Sequence, residues 1–148
     1  MNKNIIFAAM ISFEANNVSL PKWDNAKICR WIEAVADSHG YTVGNLNYLF
    51  CDDEYILEAN RQFINHDYYT DVITFDYTHA GRISGDILIS LDTVASNAKL
   101  VGASYDSELR RVVVHGVLHL CGINDKGPGE REIMEKAEDE ALAIYDEI

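Results

Sequence analysis

The sequence predicts an α+β domain close to the α/β class, with one mixed β-sheet of about four strands and about five helices packed on it. Three observations predict it. Strand-like and helix-like segments alternate in the order βαβα–ββ–ααα. The 148 residues suit one domain, residues 1–148, and no linker, repeat or low-complexity stretch divides them. Hydrophobic residues make up 48% and charged residues 24%, ordinary usage for a chain that buries a substantial core.

Each element has its own signal. Residues 4–14 are apolar and β-prone. Met1-Asn2-Lys3-Asn4 before Ile5–Ile11 faintly suggests a signal peptide, but there is one lysine and no small-residue cleavage site at Ser12-Phe13-Glu14. A buried first strand is expected instead. A helix should run from about Lys22 to Ser38, with Ile28, Ile32 and Val35 on one apolar stripe and Gly40 closing it. Val43, Leu46, Tyr48 and Phe50 mark a strand over 42–51. Asp52-Asp53-Glu54 place negative charge at the start of a second helix, which should reach about Ile64. Residues 72–77 and 85–90 read as strands of a hairpin, by β-branched content and the short link containing Gly81. Helices should follow over 92–100, over 108–121 with Ser107 as cap and Gly122 as stop, and from about Pro128 almost to Ile148.

Composition narrows the function. The net charge of −12 argues against a broad electrostatic nucleic-acid surface, though not against a local basic groove. The closest cation groupings are Lys27 with Arg30 and Arg110 with Arg111. No apolar run approaches the roughly 20 residues of a membrane helix. Cys29, Cys51 and Cys121 form no Cys-x-x-Cys pair, which points to reduced thiols in the cytoplasm and no disulfide partner. Cys29 and Cys51 read as small core hydrophobes.

The most informative stretch is His115-Gly-Val-Leu-His119-Leu-Cys-Gly122-Ile-Asn-Asp125. Histidines at i and i+4 project from one helix face and can converge on one ion. Gly122 permits a left-handed turn, so Asp125 can add a third ligand from the returning loop. Three protein ligands leave a position open, the catalytic arrangement of zinc. Two core histidines are the competing reading, but this helix is apolar nearly all round and their ring nitrogens would need partners. Asp125 has a helix-cap alternative, which the later helix start disfavours. Zinc peptidases carry a glutamate directly after the first histidine, and here that position is Gly116.

These residues resemble the YbeY endoribonucleases, the rRNA maturation factors, whose signature is similar to His-Gly-x-Leu-His-Leu-x-Gly-Tyr-Asp-His. The match falls on His115, Gly116, Leu118, His119, Leu120 and Gly122. The family's Pro-Thr-Asp-Val-Leu-Ser-Phe block resembles Thr70–Phe75, and its Gly-Asp-Ile block resembles Gly85–Ile89. The resemblance covers roughly residues 50–142, with Met134 and Glu138 of the last helix included. Two departures stand out. The family's third ligand is usually histidine, where this chain has Asp125. Its usual arginine aligns with Ile64, and Arg61, one helical turn earlier, is the expected substitute for phosphate contact.

The resemblance implies a metal-dependent, single-strand-specific endoribonuclease of rRNA maturation (16S rRNA 3′-end processing) and ribosome quality control. It implies one Zn2+ per chain on His115, His119 and Asp125, with another divalent ion as the alternative. Implied partners are single-stranded RNA and ribosomal proteins. His66 is a candidate proton carrier because imidazole titrates near neutrality. An exposed loop histidine is its plainer reading, as for His39 and His79. Asp71 and Asp86 lie in the matched blocks and read as turn or cap residues. A hydrolase of another substrate and a non-catalytic ribosome-assembly factor are the competing functions.

Overall fold

The computed structural model describes residues 10–64 and 71–148, with the backbone alone for residues 63 and 64. Its sheet has the strand order β1-β2-β4-β3. Strands β1 (Met10–Ala15), β2 (Thr42–Cys51) and β4 (Arg82–Ser90) run parallel, and β3 (Val72–Asp76) pairs antiparallel with β4. Around it stand α1 (Asn25–Ser38), α2 (Asp53–Ala59), α3 (Leu91–Val101), α4 (Tyr105–Leu120) and α5 (Glu130–Glu147). This is the α+β arrangement that the order of segments predicted.

The period-2 geometry of strands divides the apolar residues between two faces. On β2, Leu46, Tyr48 and Phe50 join α1, α4 and α5 in the main core, while Leu49 and Cys51 join Ile56 and Ala59 of α2 in a smaller cluster on the other face. The larger polar rings are satisfied within the core. Trp31 Nε1 donates to the Ala141 carbonyl at 2.7 Å, and Tyr48 Oη donates to the Val113 carbonyl at 3.1 Å. Both bonds tie neighbouring elements to α4 and α5, the helices that carry the site.

Helix α4 lies close on the sheet, and Gly116 is the reason it can. A Cβ built there would meet Ile87 Cδ1 at 2.8 Å and Cγ2 at 3.1 Å. The glycine after His115 is thus a packing requirement of the α4–β4 contact, and a glutamate has no room at that point. Gly116→Ala is expected to destabilise the protein by about 1–3 kcal/mol through overpacking, despite alanine's better helix propensity. Denaturant unfolding of the two proteins checks it, and equal midpoints would contradict the packing argument.

Several boundaries differ from expectation, each for a local reason. The described part of β1 is an edge strand: only Ile11 and Phe13 pack on the core, and Met10, Ser12 and Glu14 are exposed. Residues 4–9 of the expected strand lie outside the described residues. Helix α1 begins at Asn25 because the Asp24 side chain caps it, accepting from Lys27 N at 3.2 Å. Ser104, three residues before the expected cap, caps α4 by accepting from Ser107 N at 3.1 Å. Helix α5 starts after Gly129, whose φ of 76° ends the preceding turn.

The second helix does not run on as an α-helix to Ile64. It ends at Ala59 and continues as a π-helical turn over Asn60–Ile64. Such turns widen the helix and re-aim side chains. The α-helical spacing that put Arg61 one turn before position 64 therefore does not hold here.

Candidate metal centre

The site is built on the last two turns of α4 and the loop behind them. His115 and His119 are one α-helical turn apart, with ring centroids 4.6 Å apart and planes at 82°. The helix then stops in a Schellman motif: Gly122 N donates to the His119 carbonyl at 2.9 Å and Ile123 N to the Leu118 carbonyl at 3.1 Å. Gly122 adopts φ 92°, a conformation that L side chains rarely take. Ile123 packs against the core beyond it, and the loop returns Asp125 to the two histidines.

The distances are short. Asp125 Oδ2 lies 3.3 Å from His115 Nε2, and Asp125 Oδ1 lies 3.5 Å from His119 Nε2. One ligand atom from each of the three residues falls within 4.8 Å of the others. Among the described residues, no other group of histidine, cysteine, aspartate or glutamate brings three ligand atoms so close. All three side chains are half-buried.

The donor set fits a divalent metal ion on two further grounds. Asp125 Oδ1 is buried without a hydrogen-bond partner, an orphan oxygen that a cation would satisfy. The other ring nitrogen of His115 is engaged, because Nδ1 lies 2.6 Å from Glu138 Oε2. Nε2 is then the nitrogen left to face an ion. Two imidazoles and a carboxylate suit zinc, and the oxygen ligand also admits harder divalent ions.

The protonation states differ between the two histidines. Burial opposes the charged form of His115, but the Glu138 hydrogen bond and charge outweigh it and hold its pKa above the ordinary value. Burial, helped by the neighbouring His115 charge, pulls the pKa of His119 down.

An open cleft of about 710 Å³ adjoins these groups, with His115 and Asp125 in its wall. The rest of the wall is acid-rich: Asp71, Glu108, Glu135, Glu138 and Asp139 face only Arg111 and Arg131. Burial pushes up the carboxyl pKa of Asp71, partly offset by the His115 charge. Its backbone carbonyl also accepts from Ser90 N at 2.9 Å, a main-chain bond beside the start of β3, and Asp71 lines the cleft. Asp86 lies inside β4 rather than at the turn or cap expected for it, and accepts from Asn47 Nδ2 at 3.0 Å across the sheet.

The remaining expected residues fall elsewhere. Arg61 is exposed on the π turn, 3.8 Å from Glu58, and is not in the cleft wall. His66 lies outside the described residues. His79 is exposed as expected, whereas His39 is half-buried as the C-terminal cap of α1. Cys121 is buried beside the ligands, and burial pushes its thiol up to about 11. Cys51 is a core residue, pushed up to about 12 by burial, whereas Cys29 is only half-buried. The three thiols are unpaired. No helix among the described residues is long and apolar enough to cross a membrane.

Arg111 is the residue that spacing alone did not bring to the site. It stands one turn before His115 on α4 and donates to Glu138 Oε1 at 2.9 Å and to Asp139 Oδ1 at 2.7 Å. A signal was present in α5, where Met134, Ala137 and Ala141 form a buried stripe with Glu138 among them. A carboxylate at a core position requires a partner.

A family model described as endoribonuclease YbeY matches residues 10–146. A Phocaeicola vulgatus protein named endoribonuclease YbeY is 58% identical over 135 residues, 91% of this chain and 98% of its own length. One of the same name from Bacteroides thetaiotaomicron is 56% identical over 134 residues, 90% of this chain and 98% of its own. The solution structure of a Thermotoga maritima protein superposes with a TM-score of 0.62 at 25% identity, covering 92% of this chain and 89% of that one.

Proposed function

The chain belongs to the endoribonuclease YbeY family, and from that premise we propose that it is a metal-dependent, single-strand-specific endoribonuclease of rRNA maturation. The observation that carries this reading is the convergence of His115, His119 and Asp125, with His115 and Asp125 in the wall of an open cleft. Zinc is the proposed ion, one per chain, on those three ligands, in a single domain that spans the chain. When bound, it would supply Lewis acidity toward a phosphate oxygen or an attacking hydroxyl.

The chain's own groups divide the remaining work. Gly116 leaves α4 without the carboxylate base of zinc peptidases, which favours a phosphodiester over a peptide bond as substrate. The cleft itself repels a polyanion, so RNA has to be held by few cations. Arg61 is the proposed phosphate contact and His66 the proposed proton carrier. Processing of the 16S rRNA 3′ end, ribosome quality control and a cytoplasmic location extend this proposal. Incubating the protein with structured and single-stranded RNA, with and without a chelator, tests it. Internal cuts in single strands that vanish with chelator are expected, and uncut RNA at full metal loading would refute it. The acid-rich cleft would then favour the second reading, a non-catalytic factor docked on basic ribosomal proteins.

Arg61→Ala is expected to weaken RNA binding without changing metal content. The salt slope of log affinity should fall by about 0.7, the loss of one single-strand phosphate contact. A titration of binding against salt measures it. An unchanged slope would reduce Arg61 to a solvated charge beside Glu58.

A further inference from the structure

We propose that Glu138 is a positioning residue for the metal centre: its carboxylate takes the Nδ1 proton of His115 in a hydrogen bond and so aims Nε2 at Asp125 and His119, while Arg111 holds that carboxylate in place. The proposal rests on His115, His119 and Asp125 being the metal ligands. Glu138 Oε2 lies 2.6 Å from His115 Nδ1, and Glu138 Oε1 accepts from Arg111 Nη1 at 2.9 Å. Each carboxylate oxygen thus has its own partner. Arg111 Nη2 also donates to Asp139 Oδ1 at 2.7 Å, so successive residues of α5 grip the guanidinium.

Two physical arguments give this chain of contacts a role. A neutral imidazole carries one ring proton, and fixing it on Nδ1 leaves the Nε2 lone pair for an ion. A carboxylate behind a metal-binding histidine also holds the ring plane and raises its basicity. The cost of burying a carboxylate points the same way. Glu138 is 6% exposed, on the buried stripe of α5. Apolar residues in place of a buried ion pair are commonly as stable or more so. Packing alone therefore gives no reason for a glutamate there, whereas a histidine that must present one nitrogen does.

The test uses the full chain, zinc as the probe and a chromophoric chelator as competitor. Glu138→Gln preserves size and should keep the wild-type circular dichroism. Its zinc affinity should fall about 10–100-fold, the usual effect of losing such a partner. In zinc-loaded protein, the His115 Nδ1 proton should lose its downfield, slowly exchanging NMR signal. Where the lone Arg111 charge unfolds that variant, the double variant Arg111→Met, Glu138→Leu removes both charges and should fold with the same affinity loss. Affinity within about twofold of wild type, in whichever variant folds, overturns the proposal, since the partner effect is at least tenfold. His119→Ala separates the two readings. If it too binds zinc normally, the ligand assignment has failed; if it alone loses zinc, only the role of Glu138 has.

Discussion

His119→Ala and His115→Ala should each reduce bound metal from about one ion per chain to none, and abolish RNA cleavage with it. Neither histidine has a substitute within reach: among the described residues, no fourth ligand atom joins the His115, His119 and Asp125 group. An imidazole and a carboxylate alone hold an ion loosely. The loss should also appear in stability, independently of any activity. An ion that binds only the folded state stabilises it by about 2.7 kcal/mol at a hundredfold excess over its Kd. For a domain of this size, that is a rise in Tm of roughly 5–10 °C. Wild type should show this rise on adding zinc, and either variant should not. Without metal, His119→Ala should melt close to wild type, because the ring is 28% exposed and outside the main core. Elemental analysis and thermal scans with and without zinc measure both effects. Equal metal content in wild type and both variants would place the ligands elsewhere.

How much of this was legible in the sequence follows from the range of each interaction. The histidine pair and its helix were legible because α-helical periodicity is local and Tyr105–Leu120 keeps it. The return of Asp125 was legible because Gly122 marks a Schellman stop, again a local signal. The hairpin of β3 and β4 followed from strand content and a short link. What escaped was set by contacts distant in sequence. Arg111 and Glu138 meet across 27 positions, and only the packing of α4 on α5 brings them together. Gly116 is explained by Ile87 on β4, which no α-helical pattern reveals. The π turn at Asn60–Ile64 is a different case. It is local, yet its residues carry no glycine or proline to mark a change from α-helical spacing. The resemblance to a family supplied the activity, which neither periodicity nor charge could.

Asp125→Ala should weaken metal binding by a hundredfold or so, about 2.7 kcal/mol, while changing metal-free stability by less than about 1 kcal/mol. The two effects separate because of where the carboxylate sits. Its Oδ2 lies 3.3 Å from His115 Nε2 and its Oδ1 3.5 Å from His119 Nε2, modest attractions at a partly exposed position, and Oδ1 is buried without a hydrogen bond. Removing an orphan oxygen relieves a desolvation cost that offsets the lost attraction. In the metal-bound protein, the same oxygen would gain the partner it lacks. A residue that contributes little to the fold and much to the ion is what a ligand should be. Asp125→His should then restore binding, since the returning loop still delivers a donor to the two histidines. Exchanging the anionic oxygen for a neutral nitrogen moves the formal charge of the site with a divalent ion from +1 to +2 and softens its ligand set. Zinc should gain over manganese in a competition titration, because imidazole suits zinc and carboxylate suits manganese. Wild type should be the more tolerant of manganese. If Asp125→Ala binds zinc as tightly as wild type, the third ligand lies elsewhere. Glu130 is then a poor replacement, because its Oε1 already accepts from Gly127 N at 2.6 Å, and the Cys121 thiol is buried and reluctant to ionise. Asp71, in the cleft wall and near enough to His115 for their charges to interact, would be the next residue to replace.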